Sequence, residues 1–178
     1  MKARKVKGLD PESPLADNAE RIVRVRLDEL TSFMPKASDP DEIVALHDMR
    51  IAAKRLRYVL EVTGSCFGPY AANAVKQVKD LQDLLGEIHD CDVQLPEVAA
   101  FLEELVEEDV AAAGASERDL ARTPNRRAYA GLVALQVHLR ARRHALFADF
   151  LETWRDLERK GFAARLAFAL SERSHSLP

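Results

Sequence analysis

The sequence contains few residues that break helices. It has 7 glycines and 8 prolines among 178 residues, whereas alanine, leucine, glutamate and arginine are abundant. This composition favours long helices over a sheet. No segment of useful length alternates apolar and polar residues as a half-buried strand does. We therefore expect an all-α fold, an antiparallel bundle of about five to six helices that includes long ones.

Cysteines and long apolar runs are also scarce. Cys66 and Cys91 are too few for a disulfide framework, which fits a reducing cytoplasm. No apolar run approaches the ~20 residues that span a bilayer, so we expect no membrane association. The basic residues at positions 2–7 have no apolar stretch behind them and do not read as a secretory signal. These absences predict a cytoplasmic protein.

The charge of the chain is nearly balanced but unevenly placed. Its formal net charge is -3, whereas a general nucleic-acid binder is more often basic, so we expect no specific nucleic acid as partner. Residues 47–58 contain several Lys and Arg residues but only one acidic residue, Asp48. Residues 97–109 contain several acidic residues and no basic one. Any anion site must therefore be local rather than a general cationic coat.

Start and stop signals divide the chain into helices and tails. The predicted helices run approximately over residues 13–33, 43–62, 70–88, 90–113 and 125–160, with a short last one after Gly161. Residues 114–124 are predicted to be a linker. We expect a basic flexible tail at 1–12, a single helical domain at 13–170 and a second flexible tail at 171–178.

The second predicted helix separates its side chains into a core face and a basic line. At ~100° per residue, the core face groups Leu46, Met49, Ala53, Leu56 and Leu60. The neighbouring line carries His47, Arg50, Lys54, Arg57 and Glu61, and beyond it lie Val44, Ile51, Tyr58 and Val62. A basic line is usually a solvated face, but apolar residues on both sides favour a groove or a partly dry wall. Unpaired cations there are costly, so either acids of neighbouring helices or an anionic ligand must pair with them.

The third predicted helix repeats this layout. Lys79, Gln82 and Gly86 fall on one line beside its core face, and Lys76 lies near that line. Two parallel cationic lines would form a groove that suits the phosphates of a linear chain. Gly86 lets either a second helix backbone or a ligand approach closely.

Three arginines on apolar faces are further candidates for phosphate contact. Arg26 belongs to the first predicted helix, and Arg140 and Arg143 belong to the long helix after residue 125. Arginine suits bidentate phosphate contact, but it also pairs with core acids, so both interpretations stay open.

Histidine and aspartate pairs resemble fragments of a metal site. These are His47-Asp48 and His89-Asp90, with Asp92 close by. Adjacent helix residues point ~100° apart and do not readily share an ion, so we expect no metal, no cofactor and no catalytic residues. Two alternatives remain: a protein-protein interaction module whose basic lines pair with acidic helices, and a metal-dependent phosphohydrolase that uses His47, His89, Asp90 and Asp92.

Two segments of the sequence resemble the signatures of a known family. HDMRIAAKRLRYVLE, from His47 to Glu61, resembles the signature helix of CHAD proteins, the conserved histidine α-helical domain. VKDLQDLLGEIHDCDV, from Val78 to Val93, resembles the family's second signature. The resemblance implies an all-helical fold that binds inorganic polyphosphate in a basic channel without catalysis. It also implies that His47 is the family's histidine and that its basic positions are Arg50, Lys54, Arg57 and Lys79.

Only one copy of these signatures is present, whereas the usual domain has two halves related by pseudo-twofold symmetry. The resemblance therefore implies a half-length form, and a homodimer could rebuild the missing wall of the channel. Because some members associate with polyphosphate-rich or polyester granules, it also implies a cytoplasmic location with association with storage granules.

Overall fold

The computed structural model describes residues 2–114 and 123–172, and this part of the chain is helical with no β-strand. The helices are α1 (Leu15–Thr31), α2 (Met34–Ala37), α3 (Ile43–Thr63), α4 (Tyr70–Ala113), α5 (Arg126–Arg159) and α6 (Phe162–Ser171), with a 3₁₀ turn at Gly64–Cys66 after α3. The expected all-α fold class, a bundle with long helices, is confirmed.

The described residues form two compact units. One lies within Met1–Gly86 and Phe147–Pro178, and the other within Glu87–Leu146. The first unit contains α1, α2, α3, α6, the first part of α4 and the last part of α5. The second contains the remaining parts of α4 and α5. The domain boundaries expected from the sequence stay a prediction.

The core of the first unit is built from the faces that periodicity predicts. α1 packs against α3, and the whole predicted core face of α3, from Leu46 to Leu60, is buried. α4 contributes Val78, Leu81 and Leu85, all buried, and α5 contributes Trp154. Burying apolar side chains of this size stabilises the fold by roughly 1.5–3 kcal/mol each. This buried apolar packing therefore fixes the positions of α3 and of the first part of α4, whose other faces carry the outward-facing side chains.

The predicted break between a third and a fourth helix is wrong. Residues 70–113 form the single helix α4, with Pro96 inside it. Proline removes one backbone hydrogen bond and usually kinks a helix. Here the apolar register continues through the expected break, because Ile88 and Cys91 are both buried. Asp92, for which the sequence allows either a helix cap or a pair with a basic side chain, pairs with Arg143.

Pro35 lies just beyond the first helix, as the sequence suggests, and α1 ends at Thr31, two residues before the predicted end. Pro35 also occupies the first turn of the short helix α2, which was not predicted. Proline fits the first turn of a helix because the N–H that it lacks would have no partner there. The carboxylate of Asp39 accepts a hydrogen bond from the backbone N–H of Asp41 at 2.9 Å. This hydrogen bond lies in the turn before α3.

The end of α5 follows the expected signal. Gly161 adopts a positive φ of 67° between α5 and α6, a conformation that glycine reaches without steric cost. Most of the predicted linker, residues 115–122, and most of the predicted C-terminal tail, residues 173–178, lie outside the described residues.

The N-terminal segment has no helix before Leu15, but it is hydrogen-bonded to α1. The backbone N–H of Arg4 donates to Glu29 at 3.1 Å, and Arg21 donates to the carbonyl oxygen of Gly8 at 2.5 Å. Asp10 and Asn18 exchange two further hydrogen bonds. Among the described residues, no helix is both long enough and apolar enough to cross a bilayer.

Candidate anion-binding site

The basic line of α3 lies along the edge of the first unit. His47, Arg50 and Arg57 are half-buried, and Lys54 is exposed. Spacings of three and four residues keep them on one side of the helix. His47 has at least one interaction within the protein. The structure thus places His47 and the three predicted basic side chains of α3 on one side of the helix.

Arg50 lies against α4 at Gly86. A Cβ added to Gly86 would lie 3.5 Å from Nε of Arg50, and that atom is its nearest neighbour outside the local helix backbone. The missing side chain leaves the space through which the guanidinium passes. The sequence leaves open whether a second helix backbone or a ligand approaches Gly86. Within the protein, the neighbour is the side chain of Arg50.

Tyr58 contacts two of the cations. Nζ of Lys54 lies 5.7 Å from the centroid of the Tyr58 ring, and the guanidinium carbon of Arg57 lies 4.7 Å from it. Such cation–π contacts are worth about 0.5–1 kcal/mol at exposed sites. Tyr58 is itself 47% exposed, and its ring contacts one exposed cation, Lys54, and one half-buried cation, Arg57.

Two cations of the site each form an ion pair with a carboxylate on the same helix. Arg57 pairs with Glu61 at 3.4 Å, and Lys79 pairs with Asp83 at 2.5 Å, each one helical turn further along. The hydrogen bond to Asp83, together with the charge of Asp83, raises the pKa of Lys79, while the charge of Arg57 acts in the opposite direction. Among these influences on the pKa of Lys79, that of Arg57 on α3 is the weakest.

Three buried polar atoms of this region have no hydrogen-bond partner among the described residues. They are Nε of Arg50, Nε of Arg57 and Oε1 of Gln82. A buried polar group without a partner costs about 1–3 kcal/mol, and such groups are rare in folded proteins. Arg50 and Arg57 therefore each carry one buried donor that the described residues leave without an acceptor.

The far flank of the basic line differs from the sequence-based expectation. Val44 and Val62 are 73% and 77% exposed, so no packed helix of the described chain covers that side. Periodicity places these residues next to the cations but does not say what covers them. The basic line is bordered by the core on one side and by an exposed apolar edge on the other.

Arg26 forms ion pairs inside the first unit. Its Nη1 donates to Glu29 at 2.6 Å, and Arg55 reaches the same carboxylate at 3.2 Å. Glu29 is only 1% exposed, and a buried carboxylate needs such partners. The contacts of Arg26 thus favour the alternative in which it pairs with a core acid.

Arg140 and Arg143 belong to the second unit. Arg143 pairs with Asp92, and both side chains are largely buried. Arg140 is exposed. Arg142, which lies between them, pairs with Glu87 at 2.7 Å. The predicted phosphate contacts of Arg140 and Arg143 remain predictions, as does that of Lys76, which is exposed on α4.

A hydrogen-bonded group joins α4 and α5 within the second unit. The Tyr129 hydroxyl donates to Asp109 at 2.5 Å, and the backbone N–H of Asn125 donates to the same carboxylate at 3.0 Å. The hydrogen bond between the Tyr129 hydroxyl and Asp109 raises the pKa of Tyr129 to about 12. Burial alone would raise the pKa of Asp109, but the hydrogen bonds that it accepts lower it overall.

The residues considered as metal-site fragments are not assembled into a metal centre. Among the described residues, no group of three or more His, Cys, Asp or Glu side chains could hold a metal ion. Asp92 is engaged by Arg143. Cys91 is buried, and this burial raises the pKa of its thiol.

Sequence reasoning missed two members of the site. Tyr58 was assigned to the apolar flank, yet it contacts the cations. Its position four residues after Lys54 could have indicated this, because side chains at that spacing meet on a helix. Gln82 was placed on the line of Lys79 but not among the binding residues, and its burial could not be deduced from the position.

Comparison with known proteins gives one match. The CHAD domain family model matches residues 2–99, which include α3 and both sequence segments that resemble the family's signatures. Neither the curated proteins nor the solved structures contain a significant match. Because the family match covers more than half of the sequence, the chain belongs to the CHAD domain family.

Proposed function

We propose that this protein binds inorganic polyphosphate, without catalysis, along the basic line of α3 and the adjoining cations of α4. CHAD domains are known in general as polyphosphate-binding domains. The observation that carries the proposal is the pair of shielded arginines, Arg50 and Arg57, whose Nε groups have no acceptor among the described residues. Phosphate oxygens supply strong, charge-assisted acceptors for such groups.

The arrangement favours a linear polyanion over nucleic acid. The cations follow one helix edge at intervals of one turn, ~5 Å, and the proposed contacts include no reader of base edges. The whole chain has a net charge of -3, so attraction is confined to this edge. A chain of phosphates can place several charges along the line while the remaining surface repels it.

A titration with long-chain polyphosphate tests this proposal. We expect saturable binding that weakens steeply as salt rises, because each contact releases counterions. Orthophosphate should compete poorly, and double-stranded DNA should not displace the chain. Equal competition by DNA and by polyphosphate, or no binding at low salt, would overturn the proposal. Phosphate release during the titration would instead support the phosphohydrolase alternative.

A protein-interaction role is the second candidate, because the edge of α3 exposes Val44, Tyr58 and Val62 beside the cations. A second copy of the protein is a partner with matching chemistry. The acidic part of its α4, which exposes Phe101 among glutamates, would face the cations and apolar side chains of this edge. This version predicts a homodimer that dissociates as salt rises. Sedimentation measurements at low and high salt, with and without polyphosphate, distinguish the two roles.

A further inference from the structure

The cations of the proposed polyphosphate site fall into two pairs with different access to a ligand. Within residues 2–114 and 123–172, neither Arg50 nor Lys54 forms an ion pair. Arg57 and Lys79, in contrast, each hold a carboxylate one turn away, Glu61 and Asp83. An anion can approach the first pair directly, whereas at the second pair it must compete with a carboxylate for each cation.

The competing carboxylates can be displaced. Glu61 is 40% exposed, and Asp83 and Lys79 are about half exposed. Exposed ion pairs of this kind contribute little to stability, because water and salt screen them. In addition, the Nε of Arg57 still lacks an acceptor although Arg57 is paired with Glu61. A phosphate held near both cations would offset the loss of their carboxylates.

The length of the ligand decides whether such a phosphate is available. Arg50 and Arg57 are two helical turns apart, ~10 Å along the axis. Pyrophosphate, with two phosphates joined through one oxygen, does not reach Arg57 when it is anchored at Arg50. A long chain that is already bound at Arg50 and Lys54 brings further phosphates to the second pair at a high effective concentration.

We propose that Glu61 and Asp83 act as competing counter-ions that make Arg57 and Lys79 a second subsite, open only to phosphates of a chain already anchored at Arg50 and Lys54. This inference depends on the proposed function, since it describes how the same site selects long chains. The two carboxylates are specificity-determining residues in this scheme, and they need not touch the ligand.

Two double variants test the scheme by calorimetric titration with pyrophosphate and with long-chain polyphosphate. Arg57→Gln with Lys79→Gln should weaken long-chain binding at least ~10-fold and change pyrophosphate affinity less than ~2-fold. Glu61→Gln with Asp83→Asn should strengthen long-chain binding by about three- to tenfold. It should also add a second pyrophosphate per protein, because the second pair becomes accessible.

A matched control is available elsewhere on the chain. Glu20→Gln with Asp156→Asn also neutralises two ion-paired carboxylates, whose partners include Arg24 and Arg159. It should leave both affinities within ~2-fold, because these carboxylates pair with Arg24, Arg159 and Lys160, which are not cations of the proposed site.

The outcomes separate the inference from the proposed function. Equal weakening of both ligands by the Arg57 and Lys79 double variant would overturn the two-subsite scheme. Unchanged long-chain affinity after loss of Glu61 and Asp83 would also overturn it. In either case binding of polyphosphate by the wild-type protein would leave the proposed function standing. No binding of long chains by the wild type would overturn both.

Discussion

The side chain of Arg50 passes over Gly86, with its Nε 3.5 Å from the position that a Cβ would occupy there. A glycine in the middle of α4 weakens the helix, yet here it leaves space for a cation of the neighbouring helix. This relationship joins the two sequence segments that resemble the CHAD signatures, because Arg50 belongs to the first and Gly86 to the second. It also gives a direct way to separate stability from binding.

We expect Gly86→Ala to stabilise the protein by about 0.5–1 kcal/mol and to leave polyphosphate affinity unchanged, because 3.5 Å is an ordinary van der Waals distance. Gly86→Leu should displace Arg50 and weaken binding about 10-fold. Denaturant unfolding and binding titrations measure the two effects. Gly131, a helical glycine with no neighbour within 4 Å of a built Cβ, provides the control. If Gly131→Leu weakened binding as much as Gly86→Leu, the contact with Arg50 would not explain the loss.

Tyr58→Leu should reduce polyphosphate affinity about two- to fivefold. Leucine keeps an apolar side chain on the edge of α3 but removes the cation–π contacts with Lys54 and Arg57, each worth about 0.5–1 kcal/mol. The dissociation constant for long-chain polyphosphate is the relevant measurement. Tyr70→Leu is a control, because the ring of Tyr70 contacts Arg165 and not the basic line. Wild-type affinity for Tyr58→Leu would show that the ring does not position these cations.

Glu29→Gln should lower the free energy of unfolding by roughly 3 kcal/mol. The change leaves Arg26 and Arg55 without the buried carboxylate that they share. Glu20→Gln, which removes an exposed ion pair with Arg24 on the same helix, should cost less than about 1 kcal/mol. Chemical unfolding of both variants gives the comparison. Similar losses for the two variants would mean that the Glu29 group does not stabilise the first unit in this way.

One tyrosine should ionise only near pH 12. The hydrogen bond to Asp109 raises the pKa of Tyr129 from 10.0 to about 12. Because the pKa is higher in the folded state than in the unfolded state, the stability from this group is complete below pH ~10 and is lost as the pH rises towards 12. Ultraviolet absorbance of tyrosinate follows the titration. The late phase should disappear in Tyr129→Phe, and its persistence in that variant would assign it to another tyrosine.

Asp109, which accepts the hydrogen bond from Tyr129, should make the stability of the protein depend on pH in the acidic range. Its pKa is lowered in the folded protein, so its contribution to stability is present above the ordinary carboxylate range and is lost as the pH falls through its folded pKa. Asp109→Asn should therefore reduce the loss of stability on acidification. Unfolding measured across the acidic range, with Glu108→Gln as a neighbouring control, gives the test. An unchanged acid dependence in Asp109→Asn would contradict the role of this carboxylate.

Periodicity predicted the parts of the fold that depend on a single helix. The core face of α3, from Leu46 to Leu60, is buried as expected, because the helical repeat alone fixes which side chains share a face. The break expected near Asp92 was wrong, because the buried Ile88 and Cys91 and the ion pair with Arg143 outweigh a local start signal and Pro96.

The parts that depend on contacts between elements could not be predicted in the same way. Arg26 and Glu29 are three residues apart, which allows a pair, but the burial of Glu29 depends on its surroundings, including Arg55 from α3. The same applies to the exposed flank at Val44 and Val62. A helical repeat gives the direction of a side chain but not what lies opposite it.

The central claim is that the basic line of α3 binds polyphosphate. The most direct measurement is a long-chain polyphosphate titration of the triple variant Arg50→Ala, Lys54→Ala and Arg57→Ala, with folding checked by circular dichroism. The control removes the same charge at three exposed positions on α5 and the turn after it, Arg155, Arg159 and Lys160. We predict that the α3 triple variant stays folded and loses binding by about a hundredfold or more, while the control binds like wild type. Wild-type affinity in the folded α3 variant, or an equal loss in both triple variants, would contradict the claim.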